Sequence, residues 1–209
     1  LQDYPRAFAL IVADGLYLGA PFVRFCLGQG KDVVIVLKDD SRDLFQDAQG
    51  LFRLERPRVE VEGSLVRQMW DVEGLTSWTA LDLPIRVVRS LETRTVVRQR
   101  TKTVETIVSD WIWATTLSSQ KASPRTVIDA GHNRWLIENK GFREMGTFWH
   151  ADHIYRHEAK AIVAFLLTLM MALNLFRAFV LLNIKPCFRA RQSYLWFARQ
   201  ITAGLFAEG

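Results

Sequence analysis

The sequence has little cysteine: Cys26 and Cys187 lie far apart and in no metal-ligand spacing. That excludes a disulfide framework and a cysteine-built zinc site, and it favours a reduced, intracellular protein. Internal repeats and low-complexity tracts are also lacking, which excludes a solenoid and a disordered chain. No run reaches the roughly 20 apolar residues that a membrane-spanning helix needs. The nearest approach is AIVAFLLTLMMALNLF at 161–176, closed by Arg177. It is expected to be a buried core helix, with no membrane as partner; the alternative is a membrane-associated protein anchored by 161–182. No secretory signal is recognisable, because no basic segment precedes an apolar run. The chain opens on Leu1 and runs almost straight into a strand, so it is expected to be a fragment.

What is present is a globular composition. The 209 residues are 49% hydrophobic and 23% charged, enough for one large domain or one domain with an insertion. The net charge of +5 and pI near 9.5 favour a polyanionic partner, either nucleic acid or an anionic membrane surface.

The pattern along the chain predicts an α/β fold. AFALIVA at 7–13 and VVIVL at 33–37 are continuous apolar runs that read as buried strands. Helical spacing of Leu18, Phe22, Phe25 and Cys26 lies between them, giving a parallel strand–helix–strand unit. Asp39 or Ser41 can cap a helix over 41–54. From Pro57 the sequence alternates and is rich in Val, Thr and Arg, which predicts antiparallel strands with one wet face. The last of these strands, VSDWIWATTL, is placed to return to the main sheet. Long helices are predicted over 125–145 and 155–182, with a basic, aromatic tail behind them.

Two carboxylates stand out. Asp14 ends the first buried strand, and strand C-termini of parallel sheets gather ligands and catalytic groups; Asp-Gly is also an ordinary turn signal. Glu138 follows Arg134 by one helical turn, within RWLIENKGF. Trp135, Ile137 and Phe142 would hold that helix against a core and its carboxylate rigidly, as metal ligation needs. The alternative for Glu138 is a surface ion pair with Arg134.

The segments ALIVADGLYLGAPF, DVVIVLKDD and GHNRWLIENKGFREMGTFWHADHIYRH resemble the DDE transposases of bacterial insertion sequences. The resemblance covers most of the chain and is most specific over 129–157. It implies an RNase H-like mixed sheet with helices, interrupted by a β-rich insertion and ending in long helices. Residues 1–56 would be the C-terminal part of the core sheet, 57–108 the insertion, 109–182 the returning core strand and catalytic helices, and 183–209 a basic helical tail. Asp14 would be the second catalytic carboxylate and Glu138 the third, with the first Asp upstream of Leu1. Both would ligate two Mg²⁺ or Mn²⁺ ions for cleavage and joining of DNA strands. The fragment alone would then be inactive, or would be a non-catalytic DNA-binding remnant. The partners implied are double-stranded DNA, at transposon ends and target, and a second copy of the chain on that DNA, in a bacterial cytoplasm.

The family signature Tyr-x2-Arg-x3-Glu-x6-Lys falls on one helix face within about 60°. Arg134 and Glu138 match it, but Gly131 stands at the Tyr position and Met145 at the Lys position. Lys140 lies on roughly the opposite face. Gly131 is expected to weaken the helix start, so that the helix begins nearer Asn133. Arg134 carries over as a two-pronged phosphate or carboxylate partner. The basic stretch of Arg86, Arg89, Arg94, Arg98, Arg100 and Lys102 reads either as a DNA-backbone surface or as a charged edge hairpin that resists aggregation. The resemblance favours DNA. Trp70 and Trp78 lie in the insertion, where the resemblance implies that a Trp can stack on a flipped base; core packing is the expected role of each. Asp110 and Asp129 are explained as caps or turns, and His150, His153 and His157 carry no zinc signature.

Overall fold

The computed structural model describes residues 7–38, 42–153 and 157–207. The expected caps Asp39 and Ser41 lie outside the described residues. The chain divides into two compact units, Leu1–Trp135 and Leu136–Gly209.

The first unit is built on one mixed sheet. Its strands are β1 (Leu10–Ala13), β2 (Asp32–Val36), β3 (Arg58–Glu62), β4 (Leu65–Leu75), β5 (Ile85–Val97) and β6 (Val104–Thr115). Among the described residues their order is β1-β2-β6-β5-β4-β3. β1 and β2 run parallel, from Leu10 opposite Asp32 to Ala13 opposite Ile35. α1 (Ala20–Gly28) connects them, and α2 (Asp43–Leu54) follows β2. The β-rich region does return to the main sheet: Val36 pairs antiparallel with Trp113 and Val34 with Thr115.

Strand parity explains the packing. Val33 and Ile35 of β2, Ile85 and Val87 of β5, and Ala114 of β6 point to the face covered by α1 and α2. Val34, Val36, Val88 and Trp113 point to the other face, where Val127 and Ile128 of α3 (Pro124–Leu136) cover them. A strand covered on both sides has no polar position to spare, which is why β2 reads as an unbroken apolar run.

α3 begins at Pro124, so the expected start near Asn133 is corrected. Gly131 lies inside the helix and is buried because the Trp113 ring packs directly on it. A Cβ at 131 would come within 2.2 Å of Trp113 Nε1. The missing side chain at this position is therefore a packing requirement: the indole occupies the space.

The second unit is helical. Ile137–Phe142 is a π turn, in which the Arg143 amide donates to the Glu138 carbonyl, five residues back. α4 (Arg143–Trp149), α5 (Ala159–Asn183), α6 (Pro186–Arg189) and α7 (Tyr194–Ala207) follow. The single straight helix expected over 125–145 is thus interrupted, and face arithmetic that spans 131–145 does not hold past 137. His150 adopts left-handed φ 54° and ends α4, so the three histidines do not share one helix. Among the described residues no three His, Cys, Asp or Glu side chains gather as a metal set.

α5 corrects a second expectation. It runs 25 residues, through Arg177, and only 11% of its most apolar window is buried. Val163, Leu167, Met171, Leu175 and Leu182 are exposed. The helix is long and apolar enough to cross a membrane, by length and composition.

Candidate active site

Asp14 directly follows β1 and opens a 3-10 turn, Gly15–Tyr17, with its Oδ1 accepting from the Gly15 amide at 2.5 Å. The turn is tight: a Cβ on Gly15 would lie 3.0 Å from the Val36 carbonyl oxygen at the end of β2. Glycine is what lets the two strand ends approach so closely.

The carboxylate faces cations. Arg134 Nη2 lies 3.4 Å from Asp14 Oδ2 and Lys38 Nζ 3.8 Å from Oδ1. Arg134 is held in place, since its side chain is 11% exposed and its guanidinium sits 4.4 Å from the Trp135 ring centre. Trp135 in turn meets Trp111 edge-on at 6.3 Å. An open pocket of about 500 Å³ leads to the carboxylate, lined by Asp14, Gly15, Leu16, Val36, Lys38 and Arg42. So the fold brings together Asp14 and Arg134, a pairing the sequence did not announce, and adds Lys38 and Arg42. These two follow the C-terminal end of β2, the strand parallel to β1, and that position was the signal available in the sequence.

The hard carboxylate oxygens of Asp14 suit Mg²⁺, which binds through one or two carboxylates together with water and substrate phosphate. Lys38 and Arg134 would repel a bare cation but stabilise one that arrives with a phosphate. The donors in the first unit therefore fit part of a metal site. Glu138 belongs to the second unit, on the π turn, and is exposed.

The basic stretch splits into two kinds of residue. Arg86 is buried on the α3 face and does not fit a DNA-facing surface. It donates to Asp71 at 2.6 and 2.8 Å and to the carbonyls of Leu117 and Ala122 at 3.2 and 2.8 Å. Arg89 points to the opposite face, paired with both oxygens of Asp110 at 2.9 and 2.7 Å and lying over Trp70 at 4.9 Å. Arg94, Arg98, Arg100 and Lys102 are exposed around the β5–β6 turn. Asp110 is thus a strand ion-pair partner and Asp129 an i,i+4 partner of Arg125; neither is the cap or turn residue expected.

A buried polar cluster also sits under α3, with no signature in the sequence. Glu92 Oε1 accepts from Arg67 Nε at 2.9 Å, Ser90 Oγ at 3.0 Å and His132 Nε2 at 2.9 Å. Burial pushes the Glu92 carboxyl up, but the His132, Arg67 and Ser90 hydrogen bonds outweigh it and leave it lowered to about 2. His132 lies edge-on to Trp111 and Trp113, so this cluster ties α3 to the sheet beside Arg134.

The sequence matches the family described as Transposase DDE domain over residues 1–175. The chain belongs to that family, and its mixed α/β architecture is the RNase H-like one of such domains. It is a transposase domain, of a family that acts on DNA and generally uses divalent metal ions. No curated protein matches the chain.

Proposed function

We propose that this chain is the catalytic part of a transposase that nicks DNA at insertion-sequence ends and joins the freed 3′ end to target DNA. The observation that supports this most is Asp14 at the end of a parallel strand, facing Arg134, the residue that opens the Arg-x-x-x-Glu spacing. Asp14 and Glu138 are the proposed ligands. Two bound Mg²⁺ or Mn²⁺ ions would supply activation of the attacking oxygen and stabilisation of the leaving oxygen at phosphorus. Arg134 offers a planar, two-pronged contact to a phosphate, and its stacking on Trp135 limits the entropy lost in making it. Lys38 adds charge that favours a polyanion at the same pocket.

The reading needs a further carboxylate on a strand beside β1. The outer edge of β1 has no strand partner among the described residues and carries the sequence LIVA, an edge that soluble sheets seldom leave bare. We read the chain as inactive in strand cutting until that strand is supplied. Residues 57–108 are read as an insertion in the core formed by 1–56 and 109–182, with 183–209 as a tail. The proposed partners are double-stranded DNA and a second copy of the chain on that DNA, in a bacterial cytoplasm. The exposed apolar length of α5 favours one second reading, membrane association, which carbonate extraction of the expressed protein tests.

The decisive assay uses the chain extended by its upstream coding sequence, on plasmid DNA carrying the element's ends. Mg²⁺-dependent nicks are expected, lost with EDTA and in Asp14→Asn and Glu138→Gln. Equal nicking by Glu138→Gln removes that residue from the mechanism. DNA binding without nicking in the folded protein identifies a non-catalytic remnant.

A further inference from the structure

The second unit holds a cationic pocket that the carboxylate site does not use. It measures about 520 Å³, and its lining includes Asn139, Lys140, Arg143, Thr147, Arg177 and Tyr194 together with the carboxylate of Glu144. Glu138 is not among the lining residues. Its cations outnumber its single carboxylate, and that carboxylate is already engaged. Arg177 Nη2 lies 2.5 Å from Glu144 Oε2, and Trp149 Nε1 donates to Oε1 at 3.4 Å. Arg177 is further fixed over the Tyr194 ring at 4.8 Å. The side chains of Lys140 and Arg143 are exposed and make no ion pair or hydrogen bond among the described residues.

The π turn helps to build this pocket. Its wider winding shifts the helical phase by about one residue relative to an unbroken α-helix. The α4 face that follows carries Arg143 and Thr147 at i,i+4 spacing, and Lys140 lies one turn before them. Two unengaged cations, an amide and two hydroxyls then converge on one opening. That is donor chemistry for a tetrahedral oxyanion, with nothing in it that selects a base.

The geometry points to a phosphodiester-binding pocket at Lys140 and Arg143 that grips the DNA backbone. This inference rests on the reading of the chain as a DNA-acting transposase, but not on its carboxylates.

The test is fluorescence anisotropy of the full chain with a labelled duplex of arbitrary sequence, in EDTA, across a salt series. Lys140→Gln/Arg143→Gln is expected to weaken binding about tenfold and to flatten the log–log salt slope by about 2. Lys140→Arg/Arg143→Lys keeps both charges and should keep the slope. Thermal melting of each variant checks the fold. Unchanged affinity and slope in a folded double glutamine variant overturn the pocket and leave the transposase reading standing. Protection of the wild type by inorganic phosphate, with DNA affinity unaffected by the substitutions, overturns it in favour of a small-anion site. No DNA binding by the wild type at all overturns both readings together.

Discussion

The two ends of the β5–β6 hairpin carry similar residues to opposite effect. At the root, Arg86 and Arg89 are locked into ion pairs on the two faces of the sheet. At the tip, Arg94, Arg100 and Lys102 are exposed, and the Arg98–Glu105 pair at 2.7 Å is solvated on both sides. A guanidinium at the root is part of the core, because burial makes every unmet donor expensive. The same group at the tip contributes almost nothing to stability and is available to a phosphate. Six basic residues in one stretch of sequence are therefore two functional populations.

The largest effect is expected at the root. Arg86→Ala leaves the Asp71 carboxylate and two carbonyls without their donor. It should cost about 3–5 kcal/mol, read as a drop in the denaturation midpoint. A loss under about 1 kcal/mol would mean that the root is not a core element. Next comes the Trp113 contact. Gly131→Ala sets a methyl against the indole and should destabilise by about 1–3 kcal/mol. Trp113→Leu in the same chain should recover part of that loss, and failure to do so would separate the two positions.

A pH titration sharpens the same contrast. The folded carboxyl of Glu92 is lowered to about 2, below the ordinary carboxylate value, so its contribution is complete above that ordinary value. It is lost as the pH falls from about 4.5 towards 2, by an amount on the order of 2 kcal/mol. Glu92→Gln should flatten this part of the stability profile, and a parallel profile would contradict the assignment. The smallest stability effect belongs to the tip. Glutamine at 94, 98, 100 and 102 should change stability by under about 0.5 kcal/mol each, yet flatten the DNA salt slope by up to about 3–4. An unchanged slope would make the tip a guard against aggregation, beside the exposed Val97, Val104 and Val108.

Much of the first unit is legible in the sequence because its determinants are local. The apolar runs at 7–13 and 33–37 announce strands buried on both faces, and the WIWAT segment shows a strand returning to join them. Asp14 is legible from its place at a strand end. The Asp14–Arg134 pairing is not legible, because no periodicity links residues so far apart and the family spacing relates Arg134 only to Glu138. Arg86 is not legible: whether an alternating strand's arginine meets solvent or the Leu117–Ala122 loop depends on which helix covers that face. Gly131 is not legible either, since its reason is the Trp113 ring, eighteen positions earlier on β6. The π turn escapes the pattern because helical periodicity assumes a constant winding.

The proposed function requires Asp14 and Glu138 to hold the same divalent ions. Exchanging Mg²⁺ for Fe²⁺ in the DNA-bound protein and adding ascorbate and peroxide cuts the backbone next to the metal. The account predicts two sets of cuts, around residue 14 and around residue 138, both suppressed by excess Mg²⁺ and both weakened by Asp14→Asn or Glu138→Gln. Cuts at only one of the two positions, or cuts unaffected by either substitution, would contradict it.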